Sequence, residues 1–437
     1  MLIKEFIANE WADYAHYDNQ CSLPNIIDGL KITQRKALYT ATQLPKGDKP
    51  IRVSQFSAKA AEVTAYHHGE VSMVSTVVGL AQDYPGSNNY PLMEKHGQFG
   101  SRLSNESASP RYIHTRLHKN WDKFFKKEDQ EIVEYNYDDG DKIEPKFYIP
   151  MIPLILLNGA DGLGNGYKSL ILNYDVPDIV KALKEMVKHG AVKTKILPKI
   201  IGWTGKITKE DRQVTFTGVL KVVNTTKIHI TELPPHYDNE KYKKLLNKLQ
   251  EDEVIKEYKN HSSEDKWDWV IECPRETTKM TETALLEKFG LVSKVTENFV
   301  GWGVDDSAPM TFDGPEALIE YWYAEKLKLY ASSIKNQIKV AKARIIKLNL
   351  KIKFVEWCLK NDFRKLSKSE FIEKSMAGVK NLLAADANEF VSMSMYRITT
   401  DEVAKAMKEM DDQLDILDEL EALTPLGLME KDLKQLS

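Results

Sequence analysis

The apolar positions along the chain fall into three regimes. Over residues 24–44, Ile27, Leu30, Gln34 and Leu38 recur at three-to-four spacing behind Pro24, which predicts a helix with proline in its first turn. Residues 54–66 and 71–82 predict two more helices, broken near Tyr66–Gly69. Short helices this close together predict a helix-turn-helix or winged-helix module. Residues 96–117 mix Gly, Ser and β-branched residues, as a strand-and-wing segment does.

The second regime opens with FYIPMIPLILLNGADGLGNGY (147–167), read as an apolar strand pair running into a glycine-rich turn. Residues 198–231 alternate apolar and polar (VTFTGVLKVV, KIHITEL) and predict antiparallel strands, with helices at 240–260 and 281–290. The third regime begins at Glu316. Ile334, Ile338, Ala341, Ile345, Leu348, Ile352, Val355 and Leu359 step 4,3,4,3,4,3,4, the spacing of a coiled-coil seam. Val403, Met407, Met410, Leu414 and Leu417 form a second set with the same steps. Residues 330–366 hold ten Lys/Arg against two acids, and the later helix is acidic, so an antiparallel hairpin with a cap near 361–400 is the natural pairing.

Composition narrows the class. A chain of 437 residues exceeds one ordinary core, so two to four domains are expected. No apolar run is long enough to span a membrane, and MLIKEFIANEW lacks the basic-then-apolar layout of a signal peptide. Cys21, Cys273 and Cys358 form neither a disulfide framework nor a CxxC pair, which fits a reducing cytoplasm. The net charge of −3 decides little, but residues 29–60 carry seven Lys/Arg against one acid, Asp48. Residues 401–437 carry four Lys against eleven acids, so only the first end suits a polyanion.

Four strings then stand together: IIDGLKITQRK (26–36), AYHHGE (65–70), GQFGSRL (97–103) and SPRYI (109–113). YDD (137–139), EPKFYIPMIPLILLNGADGLGNGY (144–167), ITELP (230–234) and TPLGLMEKDL (424–433) follow in order. The set resembles the breakage-reunion region of type IIA DNA topoisomerases, whose members include eukaryotic topoisomerase II, gyrase and topoisomerase IV. AYHHGE and ASPRYI look closer to the eukaryotic and T-even phage members than to gyrase. The resemblance spans nearly the whole chain, and the order and spacing of the strings carry it.

Cutting a DNA strand without losing its bond energy calls for a covalent phosphodiester intermediate, and a tyrosine phenol is a suitable nucleophile once deprotonated. The resemblance places Tyr112 at the family's DNA-linked tyrosine, with Arg111 beside it to neutralise charge on the scissile phosphate. A packed aromatic is the ordinary fate of a tyrosine, and the ASPRYI context is what sets this one apart. His67 and His68 are adjacent and without a nearby cysteine, which makes a zinc site a poor reading; by resemblance they lie near the cleaved phosphate. Lys31 and Arg35 are four apart on one predicted helix face, and with Lys36 they suit phosphate contacts that position DNA without reading its sequence. Arg52, Lys59 and Arg102 are further DNA-binding candidates of that kind. NGADGLGNG lacks the GKS or GKT ending of a nucleotide loop. The resemblance instead makes Leu163 an apolar wedge between base pairs.

Two departures remove phosphate contacts that family members usually have. Cys21 stands where an arginine is usual, and the stretch between GQFGSRL and SPRY is short. No TOPRIM string (an EGDSA-like segment followed by DxD) and no ATPase signature occur, and the acid pairs Asp138–Asp139 and Asp305–Asp306 read as turns. A metal site of its own is therefore not expected. The resemblance then implies the cleavage subunit of a split enzyme, as in the medium subunit of T-even phage topoisomerase. A separate ATPase/TOPRIM subunit would hold Mg²⁺ and ATP. No gyrase-type wrapping domain follows the hairpin, which favours relaxation and decatenation.

The expected fold is α+β. A winged-helix cleavage domain (1–150) precedes a tower-like α+β domain (151–314) and a coiled-coil hairpin with a C-terminal dimer gate (315–437). The expected partners are double-stranded DNA, a second copy as a C₂ homodimer and the ATPase/TOPRIM subunit, in the cytoplasm or, for a phage gene, the host's. A non-catalytic architectural DNA-binding dimer explains the basic helix and the wedge but not Arg111–Tyr112 beside HHG. A coiled-coil scaffold for protein alone leaves 26–113 without a role.

Overall fold

In the computed structural model, which describes residues 3–45, 49–305, 307–363 and 365–436, the first predicted helix starts later than its hydrophobic spacing implies. Helix α1 is Ala12–Ser22 and α2 is Ile32–Gln43, with Pro24 in the non-helical stretch between them. Side chains displace the helix there. Asn25 Oδ1 accepts from the Ile27 N–H at 2.8 Å and Asp28 Oδ1 from the Leu30 N–H at 2.9 Å, local bonds that compete with helical ones. Gly29 (φ +70°) runs so close to a neighbouring segment that a Cβ would lie 2.5 Å from the Ile155 nitrogen.

Helices α3 (Val53–Val63) and α4 (Glu70–Ala81) lie where the periodicity predicts them. Val53, Phe56, Ser57 and Ala60 form the buried stripe of α3 and leave Lys59 outside. Beside them β1 (Ile51–Arg52) pairs antiparallel with β2 (His114–Thr115), Arg52 opposite His114. The hairpin β3 (Tyr135–Asp138) and β4 (Asp141–Pro145) turns at Asp139 and Gly140, both left-handed, so the first acid pair is a turn as expected. Asp306 of the second pair lies outside the described residues.

Residues 147–157 are not the first half of a strand pair. Leu154–Leu157 make one fully buried helical turn, and the strands come after it, β5 (Ala160–Leu163) and β6 (Lys168–Ile171), with the glycine turn at their tip. Helix α5 (Val176–His189), which the hydrophobic pattern did not single out, starts at the Asp175 cap and ends at left-handed Gly190.

The next region is antiparallel throughout. One sheet orders β13 (Val292–Thr296), β8 (Gln213–Thr217) and β7 (Lys206–Glu210). The other orders β11 (Glu257–Asn260), β12 (Trp269–Glu272), β10 (Lys227–Glu232) and β9 (Val219–Asn224). Alternate residues Ile228, Ile230, Trp269 and Ile271 bury one face against Tyr242, Leu246, Leu285 and Phe289, contributed by α6 (Asn239–Glu251), α7 (Glu282–Lys288) and the residue after it. The predicted helix 240–260 therefore stops early, and its end is strand β11. A last hairpin pairs β14 (Phe299–Trp302) with β15 (Pro309–Phe312).

Helix α8 runs Pro315–Lys360. The chain divides into two compact units, Met1–Lys326 with Glu430–Ser437, and Leu327–Met429. In the second unit, Phe354, Cys358, Phe371 and Phe390 centre a small core that joins α8 to α9 (Lys368–Gly378) and α10 (Ala384–Val391). Helix α11 (Thr400–Ala422) meets α8 through Lys351–Glu402 at 2.6 Å, Arg344–Glu409 at 2.6 Å and Lys342–Glu421 at 2.7 Å. On α8 the predicted seam residues Ile334, Ala341, Leu348, Ile352 and Val355 are buried, but Leu359 is exposed. On α11 Val403, Met410 and Leu417 are partly buried as the seam predicts, but Met407 and Leu414 are exposed and Ala406 is buried beside Met407. Helix α12 (Pro425–Gln435) ends the described chain.

Candidate functional site

Tyr112 sits on a turn clamped at both sides. The Ser54 N–H donates to the Pro110 carbonyl at 3.2 Å and the Val53 N–H to the Ile113 carbonyl at 3.0 Å, so the first residues of α3 hold the segment on either side of Arg111 and Tyr112. Between the clamps the Tyr112 N–H closes the turn on Ser109 at 2.9 Å. Ile113 is buried behind it, and Gly97 (φ +110°) lets that side chain in, since a Cβ there would lie 3.0 Å from Ile113 Cγ2. The Tyr112 side chain is left 71% exposed. Arg111 is exposed beside it, and Arg52 is exposed on the paired strand opposite His114. Backbone pairing thus sets Arg52 opposite His114, two residues from Tyr112, and Arg52, Arg111 and Tyr112 are all exposed.

The histidines lie where α3 ends. Ala65 takes φ +47°, and the Tyr66 N–H reaches back to the Ala61 carbonyl at 3.0 Å, which terminates the helix. His67 and His68 follow in an extended, exposed stretch before the Gly69 cap of α4. His68 is held: a hydrogen bond of 3.3 Å joins its Nε2 to the Tyr17 hydroxyl, and the Tyr66 ring meets it edge-on at 5.3 Å.

Leu163 projects from the β5–β6 tip and is 75% exposed. The tip is seated on α1. Asn165 Nδ2 donates to Asp18 Oδ2 at 2.6 Å, and Asn19 Nδ2 to the Asn165 carbonyl at 3.2 Å. Cβ atoms at Gly162 and Gly164 would lie 2.3 Å from the Ser22 carbonyl oxygen and 2.1 Å from Asn19 Oδ1, so the two glycines allow the contact. Substituting Ala at Gly162 is expected to unseat the tip at a cost of about 1–3 kcal/mol, read as a lower urea midpoint. Lys31 lies in a cleft of about 450 Å³ whose lining includes Gln34, Asn88, Asn158 and Asp161. Burial pushes its ammonium below the ordinary lysine value, and Asp161 opposes that shift.

Three of the sequence-selected cations are turned inward, which corrects the expectation that they face DNA. Arg35 is 4% exposed and grips Asp28 with both prongs, at 2.8 and 3.0 Å, so it does not share an open face with Lys31. Lys36 Nζ donates to the Thr64 carbonyl at 2.6 Å and to Glu144 at 2.8 Å. Arg102 is buried against the Gly202 carbonyl at 3.0 Å and Glu232 at 3.4 Å. Each holds segments together. Lys59 remains exposed on α3. Among the described residues no three His, Cys, Asp or Glu side chains gather into a metal site, and no helix is long and apolar enough to cross a membrane.

Residues 21–434 match the family model for the A subunit of DNA gyrase/topoisomerase IV. The chain belongs to that family. It is 31% identical to DNA topoisomerase 2 of Penicillium chrysogenum over 98% of its own length, and 32% identical to human DNA topoisomerase 2-alpha over 81%. It spans 29% and 24% of those two relatives. Its fold superposes on the Plasmodium falciparum topoisomerase II DNA-binding, cleavage and re-ligation domain with a TM-score of 0.91 and 27% identity, covering 99% of this chain and 63% of that one. That match agrees with the mixed α and β architecture and its long helix.

The sequence reading missed Tyr17, Asp18, Asn19 and Asn165, which position the histidine and the wedge loop. The signal for the first three was a cluster of polar residues next to an aromatic on a short helix, and Asn165 lies in the glycine-rich turn.

Proposed function

We propose that this chain carries out DNA breakage and rejoining in a type IIA topoisomerase, with Tyr112 as nucleophile. The phenolate oxygen attacks the scissile phosphorus and forms an O–P bond. The sugar oxygen leaves and takes up a proton, and rejoining runs the same steps backward. Arg111 and Arg52 stabilise the charge that develops on the phosphate, while His68 or His67 contacts it or assists proton transfer. The observation that carries this reading is the clamped turn that leaves the Tyr112 phenol exposed next to Arg111.

In this reading residues 1–150 act as a winged-helix cleavage domain and 151–314 as a tower-like domain. Residues 315–437 form a coiled-coil hairpin ending in a dimer gate, and two copies act together, each cutting one strand. Lys31 and Lys59 contribute phosphate contacts. Arg35, Lys36 and Arg102 support the domain instead. Mg²⁺ and ATP belong to a separate ATPase/TOPRIM subunit, where the metal, when bound, stabilises the attacking and leaving oxygens. A second duplex passes through the break, giving relaxation and decatenation. The medium subunit of T-even phage topoisomerase is the arrangement this division resembles.

The test is an assay with the chain, an ATPase/TOPRIM subunit, Mg²⁺ and supercoiled plasmid, quenched with detergent. Protein-linked linear DNA supports the reading, and DNA that is bound but never linked contradicts it. Leu163 is read as the wedge that bends the duplex. Leu163→Ala is expected to reduce the bend, measured as energy transfer between end-labelled DNA arms, with melting temperature unchanged because the side chain is solvent-exposed. A bend equal to that of the parent chain would remove the wedge assignment.

A further inference from the structure

Helix α1 touches two parts of the candidate site at once. Its Asp18, Asn19 and Ser22 receive the hairpin tip that carries Leu163. One residue earlier, Tyr17 bonds the His68 ring at 3.3 Å, and the same ring meets Tyr66 at 5.3 Å. Cys21 lies one helical turn further along α1. Interaction with Cys21, and to a lesser extent burial, raise the Tyr17 phenol above its ordinary value.

We propose that Tyr17 is a positioning residue for the cleavage step: its hydroxyl fixes the ring orientation and proton placement of His68. The proposal rests on the breakage-and-rejoining reading. A histidine free to rotate presents either nitrogen to a phosphate. One whose Nε2 is engaged by a phenol presents Nδ1. The order of the pair follows from this. His67 faces solvent without that brace, and His68 is the member held for the reaction. Because α1 also seats the wedge loop, the histidine and the bend in the duplex share one rigid support.

Tyr17→Phe keeps the ring and removes only the hydroxyl. In the full chain with its Mg²⁺-binding partner, single-turnover DNA capture is expected to slow about tenfold at neutral pH, with DNA affinity within twofold of the parent. Its pH profile should change shape rather than only scale. In a His68→Gln background the same substitution should have no further effect, since the group it positions is gone. A second readout needs no partner: in ¹⁵N-histidine spectra of the full chain, Tyr17→Phe should move the His68 Nε2 resonance. Unchanged capture, a slowing that multiplies with His68→Gln, or an unmoved resonance would each overturn the proposal. If the parent chain itself captures no DNA while the His68 resonance still responds to Tyr17→Phe, the breakage reading fails and takes the catalytic part of this proposal with it, and the brace alone stands.

Discussion

Replacing Tyr112 with Phe is expected to abolish covalent capture of DNA, by on the order of ten-thousand-fold or more, while leaving the fold and DNA binding in place. The two halves of this expectation have different sources. The loss follows from chemistry, because phenylalanine has no oxygen with which to form the phosphate ester. The preserved fold follows from geometry. The turn is held by backbone bonds from Ser54 and Val53, by its own closure on Ser109 and by buried Ile113, none of which uses the phenol. An exposed substitution of this kind changes stability by about 0.5 kcal/mol or less. Affinity for DNA, from a salt titration, should stay within about twofold, since the neighbouring arginines supply the charge. Parallel loss of binding and capture would mean that the tyrosine is a DNA-surface residue and not the nucleophile.

The largest effect on stability is expected at Arg35 and Asp28. Their side chains are 5% and 0% exposed, and Asp28 also accepts the backbone N–H groups of Leu30 and Tyr148. Arg35→Ala leaves that carboxylate buried without its cation, a change that costs about 3–5 kcal/mol. Arg35→Lys should recover only part of this, because an ammonium cannot make the two-pronged contact. Urea unfolding should report both as lowered midpoints with an unchanged slope. The measurement also decides between two roles. A DNA-contacting arginine would lower affinity and spare stability, whereas an internal strut lowers the midpoint first. Lys36, bonded to Thr64 and Glu144, belongs with Arg35 in this respect.

What was legible in the sequence was whatever depends on short range. The periodicity of Val53–Val63 and Glu70–Ala81 located two helices, and the heptads between Ile334 and Val355 located the long one. The acid pair Asp138–Asp139 reads as a turn, and Asp139 takes left-handed backbone there. Errors arose where a side chain or a distant segment decided the matter. Pro24 suited a helix start, but Asn25 and Asp28 bond the backbone into turns and postpone the helix to Ile32. Spacing alone placed Lys31 and Arg35 on one open face, and nothing in that spacing reveals that Asp28, seven residues away, closes over Arg35. Arg102 finds Glu232 from 130 residues away, a pairing no local pattern records. On α11 the predicted positions Val403, Met410 and Leu417 stay partly buried, while Met407 and Leu414 turn outward. The motifs themselves exposed Tyr112, Arg111 and Leu163, and their surroundings came only with the fold.

The most direct test is to identify the residue that carries DNA after a detergent-quenched cleavage reaction. Trypsin acting after Arg111 and Arg116 should release a peptide of residues 112–116, and mass spectrometry should find it joined through Tyr112 to a phosphorylated nucleotide. A nucleotide found instead on Tyr137 or Tyr17, both also exposed, or on no residue of this chain, would contradict the assignment on which the mechanism stands.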